Sequence, residues 1–414
     1  MAKTDNLTDF LTDIADAIRE KKGTTGAINP QDFSSEIASI ESGGGGSSAV
    51  TPPSYSDVNF YDYDGTILYS YTKEQFLALS AMPELPTREG LICQGWNYRW
   101  GEAVSYVTNY GKLNVGAMYI TDDGDTRLYI RIATEGRMSV PLYWSQTVSS
   151  GVGIDWGDGS AIQSVSGTGN KNTTHTYANP GDYVIRLKVV NNCTLGLGSN
   201  SSSYCVMGEN GSAGKIYCNM LQKVEIGARV TSIGTYAFYN CSSLSSVSIP
   251  SSVTSIGTYV FYNCSSLSSV SIPSSVTSIG TYAFYYCSSL SSVSIPSSVT
   301  SIGSGAFSGC SSLSSVSIPS SVTSIGNSAF YNCCSLASVS IPSGVRSIGN
   351  SAFAYCYGMA IYDFTNHTSV PTLSNTNAFT SIPSDCVIKV PSSLLSTWKS
   401  ATNWSTYASK IVAG

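Results

Sequence analysis

The chain has 414 residues, with 21 Lys and Arg against 26 Asp and Glu, and a formal net charge of −5. Charged residues make up 11% of the sequence and apolar residues 42%, which argues against a disordered chain. The negative net charge makes nucleic acid and anionic membranes poor partners. Two histidines leave little material for His-based catalysis or a His-rich metal site. No apolar run approaches the roughly 18–20 residues that span a bilayer, so we expect no membrane insertion.

Residues 1–41 predict a helical hairpin. Two helices of this length cannot bury enough surface to fold alone, so we expect a docking or oligomerisation segment; a fraying terminal appendage is the alternative. The apolar stripe expected to face a partner consists of Leu7, Leu11, Ile14 and Ile18 in the first helix and Phe33 and Ile37 in the second. The N-terminus lacks the pattern of a secretory signal, and the C-terminus that of an anchor, which predicts synthesis in a cytoplasm without an export address.

A Gly/Ser-rich linker over residues 42–53 precedes a predicted small α+β domain over residues 54–137. Strands are expected at 58–61 and 66–71, on either side of an Asp64-Gly65 turn. A helix over 72–82 begins with a Thr-x-x-Gln capping box, and a second helix is expected over 102–110. Two further strands, 117–121 and 127–132, bracket the turn at Asp122-Asp123-Gly124.

Residues 138–192 predict an all-β unit, because short strands alternate with Gly, Asn and Asp turns. Three ordered pieces, IDWGDGS at 154–160, THTY at 174–177 and PGDYVI at 180–185, resemble the PKD-type immunoglobulin-like domain. The resemblance implies a β-sandwich. A Ser/Gly-rich joint over residues 193–220 follows.

Residues 221–360 form a repeat array with a period of 23. One Cys, one Phe and one Pro recur at that step, the cysteines being Cys241, Cys264, Cys287, Cys310, Cys333 and Cys356. A fixed period of 20–29 residues with Leu, Val, Ile and Cys at set offsets predicts a leucine-rich solenoid, whose core closes only when repeats stack. The repeat consensus SLxSVxIPxSVTSIGxxAFxxC resembles the BspA-type leucine-rich repeat. Residues 361–414 leave the period and predict a C-terminal cap with an amphipathic helix. The fold class is therefore multidomain and mainly β.

The chain has 12 cysteines. We expect the six periodic ones to be buried structural thiols at a turn. Cys193, Cys205 and Cys218 lie in the joint, where one disulfide is compatible with an extracellular location. No C-x-x-C is present, which argues against a zinc ribbon.

Enzyme motifs are weak. Asp62-Tyr63-Asp64-Gly65-Thr66 matches the D-x-D-G-T phrase of haloacid-dehalogenase-type phosphatases, and Asp122-Asp123 resembles a metal-binding pair. That chemistry needs a doubly wound α/β domain, for which the segment is too short. Neither His175 nor His367 accompanies a G-x-S-x-G elbow. We therefore expect no catalytic residues, no metal and no cofactor.

The repeat surface is uncharged, since residues 230–345 contain no Asp, Glu, Lys or Arg. Recognition there must be non-ionic. It offers a ladder of serines (Ser246, Ser269, Ser292, Ser315) and two columns of tyrosines, which interrupt at Gly305 and Ser308. The candidate receptor contacts are Tyr236, Tyr239, Tyr259, Tyr262, Tyr282, Tyr285 and Tyr331. The alternative is that a tyrosine column only packs over the solenoid corner.

The leader LTDIADAIREKKGTTGAINPQDFSSEIASI, followed by DYDGTILYSYT, EGLICQGWNYRW and YGKLNVGAMYITDDGDTRLYI, resembles virion proteins of phages and prophages of gut bacteria. The resemblance implies a tail, fibre or head-associated adhesion component, made in the host cytoplasm and released by lysis. Its expected partners are other virion proteins at the N-terminal hairpin and a host surface glycan or protein at the repeats, with a homo-oligomer, guessed as a trimer. The alternative is a bacterial surface adhesin or structural spacer.

Overall fold

The computed structural model describes residues 57–133, 138–190, 192–198, 204–209 and 217–414. The chain divides into two units, 1–54 and 55–414, and the description below concerns the second. The predicted N-terminal hairpin, with Leu7, Leu11, Ile14, Ile18, Phe33 and Ile37, lies outside the described residues.

The first part of the described chain is a small α+β domain. Its elements are β1 (Val58–Tyr61), β2 (Ile67–Tyr71), α1 (Lys73–Leu77), β3 (Leu91–Trp96), α2 (Trp100–Tyr110) and β4 (Leu113–Thr121). The sheet order is β2-β1-β4-β3, with β1 and β4 parallel. The capping box of Thr72 and Gln75 is confirmed, but α1 ends at Leu77 rather than 82. Phe60 and Phe76 are fully buried, which makes an aromatic core for this domain.

A two-sheet β-sandwich follows. Its strands are β5 (Thr126–Ile132), β6 (Ser139–Gln146), β7 (Val152–Asp155), β8 (Gln163–Ser164), β9 (Gly169–Thr176), β10 (Gly181–Val189) and β11 (Leu195–Leu197), with a short hairpin of β12 (Tyr204–Cys205) and β13 (Gly208–Glu209). Trp144, Trp156 and Tyr177 are buried in its core. A β-sandwich is present, but it extends beyond residues 138–192, and membership of the PKD type stays a prediction.

Sheet pairing moves the predicted boundaries. β5, assigned from sequence to the α+β domain, pairs with β10 inside the sandwich, and β11 from the predicted joint pairs with β6. The sandwich also joins the repeats, because β14 (Leu221–Glu225) pairs with β5 and β15 (Val230–Ile233) pairs with β11. The sandwich and the solenoid therefore share one continuous hydrophobic core, and the sandwich closes the N-terminal end of the solenoid.

The repeats form a solenoid of about eight turns. Each regular turn contributes one three-residue strand to a parallel strand face and, in most repeats, a two-residue strand to a second ladder. The strand face contains β16 (Ser246–Ser248), β17 (Ser269–Ser271), β19 (Ser292–Ser294), β21 (Ser315–Ser317) and β23 (Ser338–Ser340); the second ladder contains β18 (Ser278–Ile279), β20 (Ser301–Ile302), β22 (Ser324–Ile325) and β24 (Ser347–Ile348). Leu244, Val247, Ile249, Val253 and Phe261 are all buried in one hydrophobic core.

The ladder continues beyond residue 360. β25 (Ile361–Asp363), β27 (Val387–Val390) and β28 (Ile411–Ala413) extend the strand face in parallel, and β26 (Thr372–Leu373) extends the second ladder. The predicted terminal helix is a short α3 (Leu395–Ser400) between two 3-10 turns. Trp398 and Trp404 are buried against this end, so the segment closes the core although its strands still follow the solenoid.

Candidate ligand-binding surface

The strand face of the solenoid is covered by the chain's own α+β domain. β4 lies across β16, β17, β19 and β21. Gly116 of β4 is so close to the solenoid that a Cβ atom built there would lie 1.9 Å from Ser271 Oγ. Only a glycine permits this approach of the two backbones.

Polar side chains of the α+β domain bond to the solenoid backbone and serines. Asn97 Nδ2 donates to Ser294 Oγ at 2.8 Å, and Tyr106 Oη donates to the Ile318 carbonyl at 2.8 Å. Tyr98 Oη donates to the Ile295 carbonyl, and Asn114 Nδ2 donates to Ser315 Oγ at 3.0 Å. These bonds satisfy groups that would otherwise be buried without partners.

The serine ladder proposed from the sequence as an open polar surface is therefore occupied. Ser246, Ser269 and Ser292 are 3–6% exposed. Ser269 Oγ donates to the Tyr63 carbonyl at 3.3 Å, which shows what covers it. A ligand can reach the repeats only on their other faces.

The tyrosine columns remain at the surface, half-buried, on the irregular turn of each repeat. In one column, ring centroids are 4.8 Å apart between Tyr236 and Tyr259 and 5.2 Å apart between Tyr259 and Tyr282. In the other, they are 4.7 Å apart between Tyr239 and Tyr262 and 4.8 Å apart between Tyr262 and Tyr285. The six tyrosines form a two-by-three array, which we call the tyrosine face.

The backbone of the turn explains why the array is regular. Tyr236, Tyr259 and Tyr282 all have positive φ angles, from 54° to 64°, in the left-handed region. Main-chain hydrogen bonds link successive turns, as from Phe238 N to the Val260 carbonyl at 2.9 Å. The rings are therefore held at the spacing of the solenoid rungs, close to the 4.8 Å between strands.

The face ends at the fourth repeat. Gly305 and Gly309 occupy the two left-handed positions of this turn, with φ of 62° and 77°. A Cβ at Gly305 would lie 2.3 Å from Tyr282 Cε1, because the Tyr282 ring lies over this glycine. The interruption seen in the sequence is thus a real edge, and Tyr331 lies beyond it, in ring contact with Tyr355 at 5.1 Å.

Two tyrosines that the sequence interpretation passed over are more exposed than the columns themselves. Tyr286 is 48% exposed and packs edge-on against Tyr285, with centroids 4.5 Å apart. Tyr357 is 57% exposed and lies near Tyr355. Tyr286 is out of register with the two columns, which is why periodicity alone did not select it. The change from VFYNC at 260–264 to AFYYC at 283–287 is the sequence feature that could have identified Tyr286.

The tyrosine face carries no charge at physiological pH. Burial, together with Tyr286, raises the pKa of Tyr285 to about 12. Its hydroxyl is therefore a neutral donor and acceptor at any physiological pH. The face offers ring edges and hydroxyls at a repeat of about 5 Å, chemistry suited to neutral polar ligands.

A second concave surface lies where α2 meets the edge of the solenoid. Two adjoining cavities of about 310 Å³ and 280 Å³ share Tyr98, Glu102 and Ser297 in their walls. The groove thus combines aromatic rings, hydroxyls, the carboxylate of Glu102 and the guanidinium of Arg99. It belongs to the junction between the α+β domain and the repeats, which the sequence did not predict.

The acidic residues of the phosphatase-like motif are engaged in the structure. Asp62 is buried, forms an ion pair with Arg88 and accepts a hydrogen bond from the Tyr63 N–H at 2.8 Å. Asp122 and Asp123 both bind Arg127, at 3.1 and 2.7 Å. Within the described ranges, no group of three or more His, Cys, Asp or Glu side chains is arranged to hold a metal ion.

Both histidines have structural contacts. His175 Nε2 lies 2.6 Å from Asp158 Oδ2, and its ring stacks on Trp156 with centroids 4.8 Å apart. His367 is buried, with Nε2 3.1 Å from the Ile341 carbonyl. His175 thus contacts Asp158 and Trp156 within the sandwich, and His367 contacts a backbone carbonyl of the solenoid.

The periodic cysteines form an interior ladder, as expected. From the second rung on, each thiol donates to the carbonyl of the phenylalanine 26 residues earlier; Cys264 to Phe238 is 3.1 Å and Cys287 to Phe261 is 3.1 Å. Burial raises the pKa of these thiols. All twelve cysteines are free. Cys193 donates to the Thr194 carbonyl at 3.4 Å, whereas Cys205 and Cys218 lie side by side.

Parallel ladders, a 23-residue period and a core of Leu, Val, Ile, Phe and Cys define a leucine-rich-repeat solenoid. The family model of the BspA type Leucine rich repeat region matches residues 216–333 and 277–406, in 6 copies. The repeat region therefore belongs to the BspA-type leucine-rich repeats. No curated protein matches the chain significantly. Among the described residues, no helix is long and apolar enough to cross a bilayer.

Several solved leucine-rich repeat structures are similar to part of this chain. A leucine-rich repeat protein from Bacteroides ovatus is 30% identical over 42% of this chain and 46% of that protein, with a TM-score of 0.33. The T. pallidum Leucine Rich Repeat protein is 31% identical over 39% of this chain and 84% of that protein, with a TM-score of 0.35. A leucine rich cell surface protein from Faecalibacterium prausnitzii is 32% identical over 36% of this chain and 48% of that protein, with a TM-score of 0.30. The chain thus covers less than half of the Bacteroides and Faecalibacterium proteins.

Proposed function

We propose that this chain is a non-enzymatic adhesion protein whose tyrosine face contacts a ligand on a cell surface. The observation that carries the proposal is the stacked, half-exposed array of six tyrosines on a rigid scaffold without charges. Rigid tyrosines supply contact area and hydrogen bonds at a low cost in conformational entropy. The engagement of Asp62 by Arg88 supports a role without hydrolysis.

The ligand class that suits this face is a neutral polar one, a glycan or an uncharged protein surface. The rings stack on each other within the columns, so their edges and hydroxyls are what a ligand meets. A ligand with hydroxyl or amide groups at a similar repeat satisfies several of these groups at once. Such binding is expected to depend weakly on salt, because no ion pair contributes to it.

The experiment compares binding of the full chain to host cells before and after Tyr239→Ser, Tyr262→Ser and Tyr285→Ser are introduced together. Serine is a native choice at this column, since Ser308 occupies the equivalent position of the fourth repeat. We expect binding to fall at least about tenfold, as for loss of a cluster of interface tyrosines. The matched control is Ile162→Ser with Val190→Ser, which removes exposed apolar side chains from the sandwich.

A melting curve for both variants separates loss of binding from loss of folding. Unchanged cell binding by the folded triple variant contradicts the tyrosine face as the contact. If Glu102→Gln abolishes binding instead, the ligand lies in the groove beside α2, and the proposal for the tyrosine face is wrong.

We propose further that the chain is a virion component, attached to the particle by residues 1–41, with other virion proteins as its partners there. The resemblance of the leader and of the following segment to phage and prophage virion proteins supports this. Deletion of residues 1–41 is expected to abolish incorporation into particles while the soluble protein still binds host cells. Incorporation that survives the deletion contradicts the docking role. Imaging of intact particles gives the copy number and tests the guessed trimer.

The second candidate is a bacterial cell-surface adhesin or spacer. The BspA-type match favours it, because that match rests on the repeats alone and requires no particle. The two candidates differ in gene neighbourhood and in location. Tail or capsid genes beside this gene support the virion, whereas immunolabelling of intact producing cells at their surface supports the adhesin.

A further inference from the structure

The joint between the sandwich and the solenoid contains two cysteines whose sulfurs nearly touch. Cys205 belongs to β12, and Cys218 lies in the short turn before β14. Their Sγ atoms are 2.6 Å apart, and both residues are buried. A disulfide bond is about 2.05 Å long, so the two atoms are already close to bonding distance.

The backbone on both sides of this pair is fixed by the two domains that meet there. Val206 N donates to the Ala237 carbonyl of the first repeat at 2.7 Å, and Tyr143 N of the sandwich donates to the Val206 carbonyl at 2.9 Å. Next to Cys218, Arg131 N of β5 donates to the Met220 carbonyl at 2.8 Å. The pair is thus held together by contacts that do not depend on a bond between the sulfurs.

Apart from Cys241, the other thiols in the part of the chain that the structure describes donate to carbonyl oxygens. In the ladder, the thiols of Cys264 and Cys287 point to phenylalanine carbonyls of the preceding rung. Cys193 bonds to the neighbouring Thr194 carbonyl. The pKa values of Cys218 and Cys241, the first rung, depend on each other, so Cys241 is the thiol that competes with Cys205.

We propose that Cys205 and Cys218 form a disulfide that covalently fastens the sandwich–solenoid joint once the protein meets an oxidising environment. The oxidant is a small-molecule disulfide such as oxidised glutathione. The thiolate of one cysteine attacks the glutathione disulfide and releases one reduced glutathione. The second cysteine then attacks the mixed disulfide, which releases the other reduced glutathione and completes the protein bond. Two protein thiols are oxidised and one glutathione disulfide is reduced to two thiols.

The position of this bond gives it a clear structural effect. It lies beside the N-terminal end of the solenoid, where β14 and β15 continue the sheets of the sandwich. Both sulfurs are buried, so glutathione disulfide reaches them only when the joint opens locally. The mutual hydrogen bond and burial also raise the pKa of Cys205, which keeps the attacking thiolate scarce and the oxidation slow. The bond therefore forms over a prolonged exposure rather than as a rapid redox response.

The test treats the full folded chain with oxidised glutathione, blocks the remaining thiols with an alkylating reagent in denaturant, and analyses peptides by mass spectrometry without reduction. We expect one linked peptide pair containing Cys205 and Cys218, a mass loss of about 2 Da, and ten alkylated cysteines out of the 12 in the chain. We also expect the melting temperature to rise by roughly 5 °C and to return on reduction.

Cys205→Ala and Cys218→Ala are each expected to abolish the linked peptide and the shift in melting temperature. Cys264→Ala, a buried thiol of the ladder, is the matched control and is expected to keep both. Twelve alkylated cysteines after the treatment, or a link between Cys218 and Cys241, overturn the proposal. Because the peptide analysis is done on the unsubstituted chain, the result stands even where an alanine variant fails to fold.

Discussion

Asn97 of the α+β domain and Ser294 of the repeats are joined by a buried hydrogen bond of 2.8 Å across 197 positions of the chain. The same amide nitrogen also donates to the Ile272 carbonyl at 3.2 Å, while Oδ1 accepts from Gly116 N at 2.8 Å. One side chain thus links β4, its own loop and two turns of the solenoid. The α+β domain is held on the strand face by polar contacts of this kind.

Asn97→Ala is expected to destabilise the docked domain by about 2–3 kcal/mol, because Ser294, Gly116 and the Ile272 carbonyl lose a buried partner. Denaturant unfolding followed by tryptophan fluorescence measures the change. The control is Asn109→Ala, since the exposed Asn109 contributes its backbone carbonyl to Asn366. Equal effects of the two substitutions contradict the role given to Asn97.

Gly116→Ala is expected to force the α+β domain away from the strand face. Its Cβ would lie 1.9 Å from Ser271 Oγ and 2.9 Å from Ser271 Cβ. Adding Ser271→Gly removes both of these atoms, so the double variant is expected to recover part of the lost stability. Gly101→Ala is the matched control, because nothing lies within 4 Å of a Cβ there. Limited proteolysis, which detects a detached domain, and thermal melting report the result.

The sequence predicts the solenoid well because each repeat has the same neighbours. Phe261 stacks between Phe238 and Phe284 at 5.3 and 5.2 Å, so one turn of the pattern defines the next. The docking of the α+β domain on the strand face could not be predicted from such a repeating pattern. Asn97 and Tyr106 follow no period, and their partners are distant in sequence, so no local pattern marks them as interface residues.

Strand β5 shows a second limit of prediction from sequence. From Leu128 to Ile132 aliphatic residues alternate with Tyr129 and Arg131, which fits a sheet on either side of the strand, and the sequence assigned it to the α+β domain with β4. The structure pairs it with β10 and β14 instead. Arg127, at the start of β5, binds Asp122, Asp123 and Glu225, which fixes this turn where three domains meet.

Native alkylation is expected to separate the cysteines into two classes. Cys93 and Cys334 are half-buried and should react with iodoacetamide in the folded protein, whereas Cys264 and Cys287 should not. Both ladder thiols are buried away from the reagent. Burial also raises their pKa, so little of the reactive thiolate is present. Peptide mass spectrometry gives the extent of labelling, with protein in denaturant as the control for full reaction. Rapid native labelling of the ladder contradicts a closed solenoid core.

Acid is expected to weaken the sandwich at the turn of Asp158. Burial opposes ionisation of this carboxyl, but hydrogen bonds from Ser160 and His175 outweigh it and lower the pKa of Asp158 to about 2. Because the folded pKa lies below the unfolded value of about 3.9, the stabilisation is present above pH 4 and is lost as the pH falls toward 2. Melting temperatures of the wild type and Asp158→Asn should therefore converge between pH 4 and 2. A constant difference across this range contradicts the assignment.

Gly305→Ala is expected to destabilise the fourth repeat for two separable reasons. Its φ of 62° costs a residue with a Cβ about 1–2 kcal/mol, and the new Cβ would lie 2.3 Å from Tyr282 Cε1. Combining it with Tyr282→Ser removes the steric part and leaves the backbone part, measured as a smaller loss than the sum of the single variants. Gly257→Ala is the control within the array, since its Cβ would meet Val260 Cγ2 at an ordinary 3.6 Å. If the Gly305→Ala and Gly257→Ala proteins have the same melting temperature, the packing of Tyr282 over Gly305 does not set the edge of the tyrosine face.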